Sequence, residues 1–377
     1  MSIAASLRTQ MNRFKMLGNV ALLLTMVAAA PSAQAQSNDT FRSMNQPVAP
    51  FRIIGNVYYV GASDIASYLI VTPQGHLLIE GGFEETAPQI EKNIATLGFK
   101  LEDVKILLSS HAHLDHAGGL TELKRLTGAK LVASAADAEL LARGGRGDFQ
   151  YGDQLPFPPV KVDRVVGDKD EIQLGGVTIV ARLTPGHTKG NLTWTTTVTE
   201  GGKTYNVVVM GSVTHYKYPL VDNANYPEIA ADLTRSFEML KILPCDVFLA
   251  PHGYVFSLKE KMGRLNANAA ENPFIDPQGY RKAVEDGERA FQNDLESERR
   301  VILRAPPVHP DKASKYLIYL HGAIVEGSDG QPVSNQYGAY EYQKIATYPP
   351  TLSTPHGFQI PDPFREHLAE VQSRSRG

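Results

Sequence analysis

The sequence predicts an α/β fold in which layered sheets are covered by helices. Strand-like apolar segments and amphipathic helical segments are interspersed through both halves of the chain, which favours that architecture over an all-β sandwich. Hydrophobic residues make up 42% and charged residues 20%, the balance of a folded globular protein. A length of 377 residues accommodates one large domain with an appendage, or two domains.

The N-terminus reads as an export signal spanning 1–35. Arg8, Arg13 and Lys15 precede an apolar run from Met16 to Ala30, Pro31 breaks it, and Ala33-Gln34-Ala35 offers small residues around a cleavage point. The run is too short for a membrane span. A periplasmic or secreted chain without stable membrane association is therefore expected. Hairpins follow: Phe51–Ile54 and Val57–Val60 flank Gly55-Asn56, and Ala66–Val71 and His76–Glu80 flank Thr72-Pro73-Gln74-Gly75. Thr86–Leu97 has helical amphipathic spacing, and Val104–Leu108 reads as a buried strand. A helix over Leu120–Leu126, a strand over Lys130–Ala133 and a helix over Ala135–Ala142 come next. Gly144–Pro159 is a loop rich in Gly, Pro and aromatics. Strands are expected at Glu171–Leu174, Val177–Ala181, Asn191–Thr196 and Tyr205–Met210. A helix at Ile229–Leu240 leads to a strand through Phe248-Leu249, and a long charged helix covers Tyr280–Glu298.

Beyond about residue 300, prolines punctuate a C-terminal extension, 301–377, with one apolar strand at Tyr316–Gly322. That strand resembles an early α/β-hydrolase strand, but no G-x-S-x-G follows. It is expected to be an appended fragment, so that 36–300 forms the working domain. A net charge of −3 and a pI near 6.4 give no electrostatic grip on nucleic acid or anionic membranes. Cys245 is the single cysteine, so no internal disulfide can form; an inert buried thiol is expected.

The informative segment is His111-Ala112-His113-Leu114-Asp115-His116. Imidazole and carboxylate are zinc ligands, and catalytic zinc sites leave a position open for water. Residues two apart point the same way in an extended loop but not on a helix. The segment should therefore be a loop leaving the strand at Val104–Leu108. His187 and His252 also follow apolar strands, in Thr184-Pro185-Gly186-His187-Thr188 and Ala250-Pro251-His252-Gly253. The other histidines read as surface or core residues. Clustered buried imidazoles without a metal leave unpaired groups. Six candidate ligands exceed one closed tetrahedral site, which points to two metals with an open bridging position.

These residues resemble the metallo-β-lactamase superfamily, whose signature is H-x-H-x-D-H. Leu114–Gly119, Gly144-Gly145-x-Gly147-Asp148-Phe149, Asn191-Leu192-Thr193-Trp194 and Leu243-Pro244-Cys245-Asp246 are most similar to the third subclass of class B β-lactamases. The resemblance implies an αβ/βα four-layer sandwich with two Zn2+ per chain. His111, His113 and His187 would bind the first zinc; Asp115, His116 and His252 the second. It implies hydrolysis of the β-lactam amide by a metal-bound hydroxide that Asp115 orients, and hence antibiotic resistance. The expected partner is a small-molecule β-lactam, and the expected state a monomer. Ser212 and Thr214 would hold the substrate carboxylate; ordinary loop capping is the plainer reading of those hydroxyls.

Glyoxalase II-like enzymes and many lactonases carry a metal-bridging aspartate after the strand ending at Met210, where this chain has Gly211-Ser212. Glu80 stands where relatives often have aspartate, and His215–Tyr218 is an unusual stretch expected at the pocket mouth. Trp194 is read as core packing. A lactonase or thioesterase of the same fold, and a non-catalytic zinc-binding relative, are the competing readings.

Overall fold

A computed structural model describes residues 41–267, 269–304, 317–319 and 323–326. The segment read as a signal peptide and most of the C-terminal extension lie outside them, as do His309, His321, His356 and His367. Residues Met1–Met44 form one unit and Asn45–Gly377 another.

Two mixed sheets build the second unit. The first runs in chain order: β1 (Phe51–Ile54), β2 (Val57–Tyr59), β3 (Tyr68–Thr72), β4 (Gly75–Ile79), β5 (Val104–Leu108), β6 (Lys130–Ser134) and β7 (Arg164–Val166). Its strands are antiparallel as far as β4 and parallel from β4 to β7. The second comprises β8 (Glu171–Leu174), β9 (Val177–Leu183), β10 (Leu192–Glu200), β11 (Lys203–Val209) and β12 (Val247–Leu249), ordered β12-β11-β10-β9-β8. Only its β11–β12 pair is parallel. Gly55, at φ 53, supplies the left-handed residue of the β1–β2 turn, as its place in Gly55-Asn56 suggested.

Period-two alternation sorts the first sheet's side chains. Tyr68, Ile70, Leu77, Ile79, Leu108 and Val132 share one core with Ala181, Trp194 and Val207 of the second sheet. Leu69, Leu78, Leu107 and Leu131 point the other way. They pack with Ile90 and Ile94 of α1 (Ala87–Thr96), Leu123 of α3 (Leu120–Thr127), which follows the one-turn α2 (Leu114–Ala117), and Leu141 of α4 (Ala135–Ala142). Helices α5 (Ile229–Ile242) and α7 (Pro277–Arg304) cover the second sheet, flanking α6 (Leu258–Asn266) in sequence. There Phe237 and Phe291 stack at 5.8 Å and Tyr280 meets Phe248 at 5.5 Å. The layers are helix, sheet, sheet, helix, the sandwich the resemblance implied. Trp194 is buried in the core as expected. Among the described residues no helix is long and apolar enough to cross a membrane.

Three local expectations need correction. The His111–His116 segment is a loop only as far as His113, because Leu114–Ala117 closes one helical turn. Strand β7 and helix α6 were not anticipated. Cys245 precedes β12 rather than lying in it, and is only partly buried. Of the C-terminal strand, Leu317–Tyr319 pairs antiparallel with Ala323–Glu326.

Candidate metal centre

Four segments converge on one rim, each leaving the C-terminal end of a strand. β5 delivers His111 to His116, β9 delivers His187, β11 delivers Ser212 and β12 delivers His252. The Leu192 N–H donates to the Ser110 carbonyl at 2.8 Å and so ties the two sheets together beside the ligands. Parallel pairing of Val209 with Leu249 sets the Ser212 and His252 loops side by side. Extended backbone at His113 gives way to the turn of α2, whose amides on His116 and Ala117 donate to the His113 carbonyl. That turn brings Asp115 and His116 back over the rim.

The six predicted ligands form two triplets: His111, His113 and His187, and Asp115, His116 and His252. Within each triplet the ligand atoms lie within 4.8 Å of one another. His113 Nδ1 is 3.1 Å from His187 Nε2, and His111 Nε2 is buried with no hydrogen-bond partner among the described residues. In the second triplet Asp115 Oδ2 stands 3.2 Å from His116 Nε2 and 3.4 Å from His252 Nε2. Those two Nε2 atoms are 3.2 Å apart. The His111 and His116 rings, 4.3 Å apart, join the triplets.

The opposite nitrogen of each imidazole faces an outer partner. His111 Nδ1 meets Ser110 Oγ at 2.9 Å, His187 Nδ1 the Thr214 carbonyl at 2.7 Å, and His252 Nδ1 Asp64 Oδ2 at 2.9 Å. His116 Nδ1 faces Glu80 Oε2 at 3.4 Å, and His113 Nε2 faces Asp148 Oδ2 at 3.7 Å. The hydrogen-bonded partners of His111, His187 and His252 fix the orientation of a metal-ligating imidazole, while the carboxylates facing His116 and His113 make no hydrogen bond to them. The inward nitrogens of His111, His116 and His187 are neutral and crowd together in a buried space, an arrangement that a cation satisfies. The donor set therefore fits two metal ions.

Electrostatics agree. Burial, reinforced by the surrounding imidazoles, holds His111 and His187 well below the ordinary histidine value. Burial also lowers His116. Burial pushes the Asp115 carboxyl up, but the facing His116 and His252 overrule it and hold it well below the usual range. For His252 the balance reverses: burial lowers it, while Asp115 and Asp64 together raise it to about 10. Burial lifts Glu80 to about 8.

A family model described as the metallo-beta-lactamase superfamily matches residues 60–252. A native metallo-β-lactamase from Legionella gormanii is 43% identical in a match covering 67% of this chain and 97% of that one, with a TM-score of 0.66. The chain belongs to the metallo-β-lactamase superfamily. A subclass B3 metallo-β-lactamase of Bradyrhizobium japonicum is 36% identical to it, over 70% of this chain and 99% of that one, with a TM-score of 0.65. Among curated proteins, hydroxyacylglutathione hydrolase of Hyphomonas neptunium is 33% identical over 84 residues. That match spans 22% of this chain and only 26% of the relative.

Relative to its motif residues, this metallo-β-lactamase superfamily hydrolase holds several site groups that sequence reasoning missed. Asp64 lies far from His252 in sequence and follows no ligand motif. Asp137 lies in the first turn of the helix expected over Ala135–Ala142, with no ligand motif around it. Ser134 caps that helix, accepting from the Asp137 amide. The Asp137 carboxylate instead turns inward and is buried, accepting from Ala112 N at 3.0 Å, Thr188 Oγ1 at 2.9 Å and Gly190 N at 3.0 Å. It thereby fastens the 111–116 loop to the His187 loop. Glu80, seen only as a departure, is fully buried at φ 69 and accepts from Ser110 N at 2.8 Å. Ser212 and Thr214 lie beside His187, with their hydroxyls 3.0 Å apart and Thr214 Oγ1 3.3 Å from His187 Nδ1. Asn191 braces them, its side chain bonding the Ser212 amide and carbonyl. His215 is buried against Asp294 of α7, and His76 is also buried.

Proposed function

We propose that this chain is a zinc-dependent β-lactamase. The observation that carries the reading is the convergence of His111, His113 and His187 with Asp115, His116 and His252 at one rim, in a chain that matches metallo-β-lactamases over nearly their whole length. Histidine and carboxylate donors suit zinc. Bound zinc supplies Lewis acidity that makes water acidic near neutral pH.

The chain's own residues do the rest. Asp115 is the most open of the six ligands, its side chain 20% exposed while all five histidines are buried, and as the one carboxylate among them it accepts a hydrogen bond from the attacking water and orients it. Ser212 and Thr214 hold the substrate carboxylate by hydrogen bonds and set the lactam carbonyl over the rim. Asp64, Glu80 and Ser110 keep the imidazoles turned inward. Water protonates the departing nitrogen, and no covalent enzyme intermediate is required.

The experiment is cephalosporin hydrolysis by purified protein, with and without a chelator, beside an acyl-glutathione thioester and an acyl lactone. Chelator-sensitive turnover of the cephalosporin is the expected result. Faster turnover of the thioester supports the second reading, which the local likeness to hydroxyacylglutathione hydrolase favours. The N-terminal signal pattern supports a periplasmic or secreted location free of the membrane, to be tested by cell fractionation; the proposed monomeric state is to be tested by light scattering.

A further inference from the structure

Two half-exposed tyrosines sit over the metal centre, one above each triplet. The Tyr216 ring lies 5.8 Å from the His187 ring, and the Tyr254 ring 5.4 Å from the His252 ring. Their hydroxyls meet at 3.2 Å. Tyr216 and Tyr254 are 51% and 55% exposed, whereas His187 and His252 beneath them are 4% and 7% exposed. The pair therefore lies between the ligands and solvent.

The backbone places Tyr216 there at a cost. Tyr216 and Lys217 both take left-handed conformations, at φ 31 and 64, inside a turn closed by the Tyr218 amide on the His215 carbonyl. Consecutive non-glycine residues in this region are unfavourable and persist only where the surroundings impose them. Here the surroundings are visible. His215 is buried and held by Asp294 at 2.8 Å, and Glu298 accepts from the Leu220 and Val221 amides at 2.8 and 3.0 Å. Both anchors belong to α7. On the other side, the Tyr254 amide donates to Asp64 Oδ1 at 2.8 Å, and the same carboxylate orients His252. The two loops that deliver the rings are thus fixed, and the bond joining the rings is the weak link.

We propose that the Tyr216–Tyr254 hydrogen bond is a bridge across the mouth of the metal centre that discriminates against β-lactams with bulky side chains. This rests on the hydrolase reading above. A compact substrate enters beside the closed bridge; a bulky one requires the hydroxyls to part. A solvent-accessible hydrogen bond of this kind biases an equilibrium by about fivefold.

The test uses metal-loaded enzyme, with Tyr216→Phe, Tyr254→Phe and the double variant, which keep both rings and remove the bond. kcat/KM for a β-lactam with a bulky acyl side chain should rise about fivefold in each single variant, and no further in the double, because both changes delete the same bond. The value for a compact β-lactam should stay level. Parallel change on both substrates, or additive single effects, overturns the proposal.

A second measurement does not need turnover: the rate of metal loss to 1,10-phenanthroline and to its larger disulfonated diphenyl derivative. The larger chelator should lag in the wild type, and the lag should vanish in the variants. Equal rates in the wild type overturn the bridge. If no β-lactam is hydrolysed, the proposed function fails, and the chelator rates alone decide whether the bridge exists.

Discussion

Replacing Asp137 by alanine tests how the two ligand loops are held in register. The carboxylate receives three buried donors, at 3.0, 2.9 and 3.0 Å. Stranding a buried donor costs about 2 kcal/mol, so three cost about 6 kcal/mol. Against this stands the burden of the buried charge. Burial raises the Asp137 carboxyl to about 6 despite those bonds, and at neutral pH that rise corresponds to about 3 kcal/mol of unfavourable ionisation. The net loss in Asp137→Ala is therefore about 3 kcal/mol at pH 7. The sign of its pH dependence follows from linkage. A carboxyl raised by folding contributes stability that is present in acid, below its unfolded value near 4, and lost as pH rises through about 6. The difference between wild type and variant should thus widen as pH falls from 7 to 4. The assay is urea denaturation of the metal-stripped proteins at both pH values, so that metal linkage drops out. A loss under 1 kcal/mol at pH 7, or a difference that narrows in acid, refutes this account of Asp137.

Further outcomes follow from the same geometry. His252→Ala should lower bound metal from about two ions per chain to about one, read by elemental analysis, because the His111, His113 and His187 triplet stays whole. Metal entering the second triplet must displace the proton that Asp115 and Asp64 hold on His252 up to about 10. Its affinity should therefore rise about tenfold per pH unit from 7 to 9, and Asp64→Asn should flatten that rise in competition titrations. Glu298→Ala removes the acceptor of the Leu220 and Val221 amides; KM for β-lactams should rise several-fold with metal content unchanged, whereas ending the chain after Arg304 should leave both intact. Gly211→Asp should lose β-lactam turnover without gaining thioester turnover, since a Cβ there would meet the Leu192 carbonyl at 2.5 Å.

Much of this was legible in the sequence because its causes are local. A histidine pair two residues apart at the end of an apolar strand declares an extended, ligand-bearing loop. His187 and His252 repeat the same setting of apolar strand followed by a short turn. Continuous apolar runs such as Tyr68–Val71 marked the strands, since both faces of that strand are buried. What stayed hidden depends on distant partners. Asp64 means nothing until β12 brings His252 within 2.9 Å across 188 positions. Asp137 is, by its neighbours, only an acidic residue in the first turn of a helix, and becomes a clamp only once the His187 loop arrives. Strand β7 has three residues, two of them exposed, so its pattern carries little signal. Helix α6 buries only Leu258 and Lys261, and one of those two is charged. The turn α2 was misread because the spacing of His111 and His113 argues against helix there, while Asp115 and His116 require the chain to curl immediately afterwards.

Gly211 joins the legible part to the hidden part. The resemblance puts the missing metal-bridging aspartate within Gly211-Ser212, where the competing thioesterase and lactonase readings would call for one. The structure adds why the position holds no side chain. The Gly211 amide donates to Thr193 Oγ1 at 2.9 Å, and any Cβ would press on Leu192 and on the Asn191 amide that braces Ser212. The close approach that leaves no room for a side chain at Gly211 thus belongs to the same turn that sets Ser212 and Thr214 beside His187, made where β11 leaves the sheet.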